Sequence, residues 1–221
     1  MGVGAHYASQ TREWTKNRKF EPNELYSEDI NTADVEVRDD DETWTYVACD
    51  NDSPCPHCSC LQPHLDCIVI AVDGACKGNG STDARAAAGV FVGKSSKYNK
   101  STVLTESEAT NQIAELKAGI LGLSQAIEIQ GCGVEGEALH QVVIKSDSKY
   151  LVEGMTEWVF KWEGNGYRTC KGVAVTNSAL FKELEILIGR LNKLGVEVLF
   201  WHVPRSYNKQ ADELANLALQ S

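Results

Sequence analysis

The chain has 221 residues, 43% of them hydrophobic and 24% charged, with a formal net charge of −10. This composition suits a soluble globular protein with one sizeable domain and an appended segment. No run approaches the roughly 18 uninterrupted apolar residues of a membrane span, and Met1 to Gln10 has neither the charged nor the apolar part of a secretion signal. Strong acidity argues against nucleic-acid partners, whose phosphates recruit Lys and Arg. Here that exclusion reaches only the front of the chain, because residues 1–66 carry a net charge of −9 and residues 67–221 only −1.

Residues 1–47 show no sustained period of 2 or 3.6 and contain the acid run Asp39-Asp40-Asp41-Glu42. They read as mostly irregular, ordered against the main domain by Trp14, Phe20, Tyr26, Trp44 and Tyr46. The acid run is either a solvated surface or a mimic of nucleic-acid charge. Eight cysteines without a secretion signal favour reduced thiols or metal ligands over a disulfide framework. The run C-P-H-C-S-C contains a C-x2-C pair, the usual first half of a tetrahedral zinc site. Cys55, Cys58 and Cys60 would supply three ligands, and Cys49, His64 or Cys67 the fourth. The spacing matches no zinc-finger template, so reduced or partly disulfide-linked cysteines are the alternative.

Ile68 to Val72 is a short β-branched run that reads as a buried strand ending at Asp73, before a glycine-rich turn. Val-Asp-Gly is also ordinary turn chemistry. Ala86 to Gly93 and Ser101 to Thr105 read as second and third strands of an antiparallel meander. From Thr110 to Gln130 the period changes. Ile113, Leu116, Ile120, Leu123 and Ile127 mark an amphipathic helix that Gly131 should end, with Glu115 in its second turn. A fourth strand, Gln141 to Lys145, runs into Ser146-Asp147-Ser148 and a short helix. Trp-rich helical turns follow, then a helix over Asn177 to Leu194 capped by Asn177 or Thr176. A fifth strand covers Val196 to Trp201, and a last helix, Lys209 to Leu219, carries Asp212. The order predicts an α/β fold: a mixed five-stranded sheet, three antiparallel strands plus two parallel, flanked by helices.

Four acids stand out by position: Asp73, Glu115, Asp147 and Asp212. If the first and fourth strands are neighbours, Asp73 and Asp147 lie side by side, and like charges that close require cations. Oxygen-only ligands suit Mg²⁺ or Mn²⁺, and two such ions serve phosphodiester hydrolysis. At these residues the sequence resembles ribonuclease H of the cellular type 1 class. The motifs are V-D-G with Asn79 six residues on, T-N-Q-I-A-E-L at 110–116, S-D-S at 146–148, W-V-F-K-W-E-G-N-G-Y-R-T at 158–169 and N-K-Q-A-D-E-L-A at 208–215.

The resemblance divides the chain into an acidic N-terminal segment, 1–66, and a ribonuclease H domain, 67–221. It implies an endoribonuclease that cuts the RNA strand of RNA/DNA hybrids, leaving 5′-phosphate and 3′-hydroxyl ends. By the same resemblance, Asp73 would bridge two Mg²⁺ or Mn²⁺ ions, Glu115 and Asp147 would complete one site, and Asp212 the other. Asn79, Asn111 and Gln112 match positions that read 2′-hydroxyls across the minor groove, where RNA differs from DNA. Tyr150 and Trp158 match a channel packing on DNA sugars, and Thr110 and Asn177 a pocket for a DNA phosphate. Trp162 reads as core packing.

Three departures qualify the match. The loop before Asp212, Val203 to Asn208, lacks the His many members carry, and His202 just ahead of it reads as structural. Glu108 stands where members carry an Arg beside the phosphate pocket. No basic hybrid-binding module precedes the domain. These departures keep an alternative open, a weak or inactive module of the same fold that binds hybrid or double-stranded RNA. The expected setting is nuclear or cytoplasmic, as a monomer with a hybrid partner, no membrane and no obligate protein partner.

Overall fold

The computed structural model describes residues 14–28, 30–50, 54–56, 60–79, 81, 83–105 and 109–220. Its centre is one strand, β3 (Pro63–Lys77), much longer than the apolar run predicts. One edge of β3 is paired twice over. Its first half meets β2 (Thr45–Ala48), and its second half meets β4 (Arg85–Phe91), both antiparallel. Its other edge pairs in parallel with β6 (Gln141–Ser146), which in turn pairs with β7 (Glu197–His202). β1 (Glu36–Arg38) extends the sheet beyond β2, and β5 (Lys100–Leu104) beyond β4.

Among the described residues the sheet therefore has seven strands rather than five. The five expected strands are present with the expected directions. The two extra strands come from the front segment, where E-V-R and T-Y-V-A are too short to show a period yet offer backbone groups to a sheet edge. Asp73 does not end its strand. Gly74 to Lys77 continue the antiparallel ladder opposite Ala88 to Arg85, because pairing depends on backbone groups and the alanines facing this stretch leave it room. Val-Asp-Gly is thus strand, not turn.

The helices are a single turn α1 (Pro22–Leu25), α2 (Asn111–Cys132), α3 (Lys149–Glu153), α4 (Val159–Asn165), α5 (Ser178–Lys193) and α6 (Lys209–Ala218). A π-helical turn, Gly154–Trp158, joins α3 to α4. α2 passes through Gly131 and ends at Gly133, whose φ of 79° suits only glycine. Among the described residues no helix is long and apolar enough to cross a membrane.

Alternation along β3 divides the core. Ile68, Ile70 and Val72 join Leu116, Leu123, Phe181 and Ile188 under α2 and α5. Cys67 and Val69 face the other way, with Val143, Leu199 and Trp201, and the front segment covers them with Phe20 and Val35. Phe20 meets Trp201 edge-on at 5.3 Å. Of the five front aromatics, Phe20, Trp44 and Tyr46 are buried, Tyr26 is half-buried and Trp14 is exposed. Backbone bonds from Phe20 N–H to Phe200 O (2.9 Å) and from Phe200 N–H to Arg18 O (2.7 Å) also cover the free edge of β7, which would otherwise be open to another chain.

A charged pair fastens β1 to the sheet. The Lys145 ammonium, 4% exposed, bonds Glu36 and lies 5.9 Å from the Trp201 ring centroid. Removing one partner of a buried pair strands the other charge. Glu36→Ala should therefore cost about 2 kcal/mol, below the usual range because Glu36 keeps some solvent and Trp201 some attraction. Urea unfolding checks it, and an unchanged midpoint would contradict it.

Candidate active site

The register of two parallel strands assembles the first half of the site. Ala71 of β3 lies opposite Lys145 of β6, so two residues further on Asp73 and Asp147 emerge as neighbours on the same face. Asp73 there feels the charge of Asp147. The Ser146 hydroxyl accepts from Ser148 N–H at 3.1 Å and shapes the turn that holds Asp147.

Two glycines deliver the other acids. A Cβ on Gly74 would sit 2.2 Å from Ala114 C and Glu115 N, so the missing side chain lets α2 rest on β3 and brings Glu115 in. Gly89, opposite Asp73 on β4, does the same for α6. A Cβ there would lie 2.2 Å from Ala211 O and 2.6 Å from Ala215 N, and Asp212 sits in the first turn of that helix.

Each acid is held. Glu115 accepts from the Ser148 hydroxyl through Oε2 and from Asn111 Nδ2 at 2.9 Å through Oε1. Ser148 also caps α3 by accepting from Leu151 N–H. Asn208, fully buried, donates Nδ2 to Asp147 Oδ1 (2.9 Å) and to Val72 O (3.0 Å). The Arg205 guanidinium bonds Asp212 Oδ1.

This crowding of carboxylates sets the electrostatics. Burial first, then the charges of Asp147 and Asp212, push Asp73 up to about 8, with Arg205 pulling weakly the other way. Glu115 is also raised, by burial first and by Asp147, against the opposing bond from Ser148. A cluster that resists its own ionisation is the donor set a divalent cation completes, and all four donors are hard oxygens. The residues present therefore fit Mg²⁺ or Mn²⁺.

Of the residues that the resemblance assigns to substrate, Asn111 touches the acid cluster directly, through Glu115. Asn79 Oδ1 accepts from Asn111 N–H at 3.2 Å, which sets both at the start of α2 beside exposed Gln112. Thr110 is occupied as the N-cap of α2, accepting from Ile113 N–H. Tyr150 and Trp158 stand 5.8 Å apart, edge to face, across the π turn. Asn177 precedes α5 but does not cap it with its side chain. At φ 58° it donates Nδ2 to the Tyr150 hydroxyl at 3.3 Å. Trp162 packs on Phe181 at 5.0 Å, in keeping with core packing. His202 is exposed rather than built into the core. Glu108, His57 and Cys58 lie outside the described residues. Sequence reasoning passed over Gly74, Gly89, Ser148, Arg205 and Asn208. All but Gly89 and Arg205 lie inside the motifs that carry the resemblance.

Comparison with known proteins follows the same outline. The RNase H family model matches residues 66–220. Rat ribonuclease H1 is 32% identical over 152 residues, 67% of this chain and 48% of that protein. Ribonuclease HI of Neisseria meningitidis serogroup B is 32% identical over 149 residues, 67% of this chain and 92% of that protein. The chain thus spans about half the length of the mammalian relative and nearly all of the bacterial one. A solved foamy viral protease-reverse transcriptase in complex with dsDNA superposes with a TM-score of 0.53 at 22% identity, over 68% of this chain and 92% of that one. That likeness is one of fold.

Proposed function

The chain belongs to the RNase H family, and from that membership we propose that it hydrolyses the RNA strand of RNA/DNA hybrids, leaving 5′-phosphate and 3′-hydroxyl ends. The observation that supports this most is the convergence of Asp73, Glu115, Asp147 and Asp212, with the pKa of Asp73 pushed up to about 8 by burial first and then by the charges of Asp147 and Asp212. Asp73, central to the cluster, would bridge two ions, with Glu115 and Asp147 on one and Asp212 on the other. Two divalent ions, when bound, activate the attacking water and stabilise the departing 3′-oxygen. The chain's own groups orient the cluster: Ser148 and Asn111 fix Glu115, Asn208 fixes Asp147, and Arg205 holds Asp212.

Substrate selection is assigned to side chains flanking the acids. Asn79, Asn111 and Gln112 offer donors and acceptors to 2′-hydroxyls, while Tyr150 and Trp158 present ring faces to DNA sugars. Thr110 and Asn177 would take a DNA phosphate. None of these groups reads a base edge in the major groove, so little sequence preference is expected. On this reading residues 67–221 are the catalytic unit and residues 1–66 an accessory segment.

A binding-only module of the same fold is the second reading, favoured by one observation: Asp212 is paired with Arg205, an exposed cation in a loop without His. One experiment separates the two. Labelled hybrid, duplex RNA and duplex DNA are incubated with the protein in Mg²⁺, Mn²⁺ or chelator. Cleavage confined to the RNA of the hybrid, and abolished by chelator, is expected. Binding without cleavage in either metal would support the second reading instead.

A further inference from the structure

The loop between β2 and β3 carries the cysteine run, and the structure assembles a trio at its base that the C-x2-C spacing does not indicate. Cys49 follows β2 directly, and its N–H donates to Gln62 O at 2.7 Å, closing the loop. Val47 lies opposite His64 and Ala48 opposite Pro63. This register brings the Cys49 sulfur, an Asp50 carboxylate oxygen and a His64 ring nitrogen within 4.8 Å of one another. Cys49 and His64 are buried and Asp50 is half-buried. His64 Nε2 stands 3.7 Å from Asp50 Oδ1. That is long for a hydrogen bond, but near the roughly 3.4 Å edge joining two ligands of a tetrahedron with bonds of about 2.05 Å.

We propose that Cys49, Asp50 and His64 form a zinc site that staples β2 to the start of β3. The mixed sulfur, nitrogen and oxygen donors suit Zn²⁺ and disfavour Mg²⁺ or Ca²⁺, which take oxygen alone. Three protein ligands among the described residues leave one tetrahedral position, which water can fill. A cavity of about 150 Å³ lined in part by Tyr26, Asp50 and His64 adjoins the trio. Among the described residues, the metal-ligating atoms that come together here are those of Cys49, Asp50 and His64. Cys55 and Cys60 are tied by a backbone bond of 2.9 Å, and Cys67 packs into the apolar cluster with Val69, Val143 and Leu199. The trio is also separate from the acids. His64 and Asp73 lie nine residues apart on one strand, about 30 Å, so the two sites select different ions independently.

The test uses the full chain, stripped with chelator, given excess Zn²⁺ and desalted. About one equivalent should remain, in the unmodified protein and in Asp73→Asn alike. Cys49→Ser and His64→Gln should retain less than a tenth of an equivalent. Because both positions are buried, half-buried Asp50→Asn is the variant that decides if either fails to fold, and its zinc affinity should fall by about 100-fold. Co²⁺ in place of zinc should give a thiolate-to-cobalt charge-transfer band that Cys49→Ser removes. The proposal is overturned if the unmodified protein gives no such band, or if folded Cys49→Ser or Asp50→Asn holds zinc as tightly as the parent. The latter result would place the metal on Cys55, Cys58 and Cys60.

Discussion

Asp73→Asn is expected to have opposite effects on activity and on stability. Hybrid cleavage should fall by about 10³-fold or more, equivalent to about 4 kcal/mol of barrier, because the amide cannot bridge cations as a carboxylate does. Hybrid binding should persist, since the residues assigned to it lie outside the acid cluster. Without divalent ions the same substitution should stabilise the fold at neutral and alkaline pH. Asp73 has its folded pKa raised to about 8 from an ordinary 3.8, by burial and by Asp147 and Asp212. A carboxyl raised in the fold binds its proton more tightly there than in the unfolded chain. Its favourable contribution is complete below about pH 4 and is lost as pH rises through about 8. Denaturation in chelator should therefore show the variant ahead by on the order of 3 kcal/mol at pH 8, with the gap closing towards pH 4. A gap that stays constant with pH would remove the electrostatic account. Retained cleavage in Mg²⁺ would remove the catalytic assignment.

Gly74→Ala should be the most damaging conservative change in the sheet. The new Cβ would meet Ala114 C and Glu115 N at 2.2 Å and Ala114 O at 2.5 Å. These are backbone atoms of a helix and cannot rotate away, so α2 must retreat by more than an ångström. Overpacking of this kind costs about 3 kcal/mol or more. It also shifts Glu115, and displacement of a catalytic group by an ångström is enough for about a 100-fold loss of activity. Gly89→Ala should act alike through α6 and Asp212. Gly131→Ala is the control, because nothing lies within 4 Å of its added Cβ, and it should be neutral or slightly stabilising. Thermal melting and hybrid cleavage of the three variants test the scheme. Equal melting temperatures for Gly74→Ala and Gly131→Ala would refute it.

The two glycines also explain how a site can be half visible in a sequence. Asp73 and Asp147 are legible because each follows a β-branched run, and a carboxylate beside such a run is costly unless something compensates it. Glu115 and Asp212 are legible through their place in the element order and the motif around them, since an acid on an amphipathic helix is by itself ordinary. No local pattern says that Gly74 and Gly89 are the points where those helices touch the sheet. That contact is between residues about 40 and 120 positions apart.

The front segment shows the other limit. Its strands are three and four residues long, and its covering aromatics follow no period. Their places come from the second apolar face of β3, β6 and β7, which must be covered by something. The zinc trio is the same case, with ligands from either side of a hairpin loop whose register brings them together.

Periodicity and motif order suffice for the five central strands, their directions and the two long helices, and they single out four acids that the fold brings together, because local patterning and buried charge leave marks in adjacent residues. The run of β3 through Asp73, the two added strands, the close approach of α2 and α6 and the partners of each carboxylate depended on the folded chain. Those features arise from contacts between distant residues, where a missing methyl group or a shared edge decides which atoms can meet.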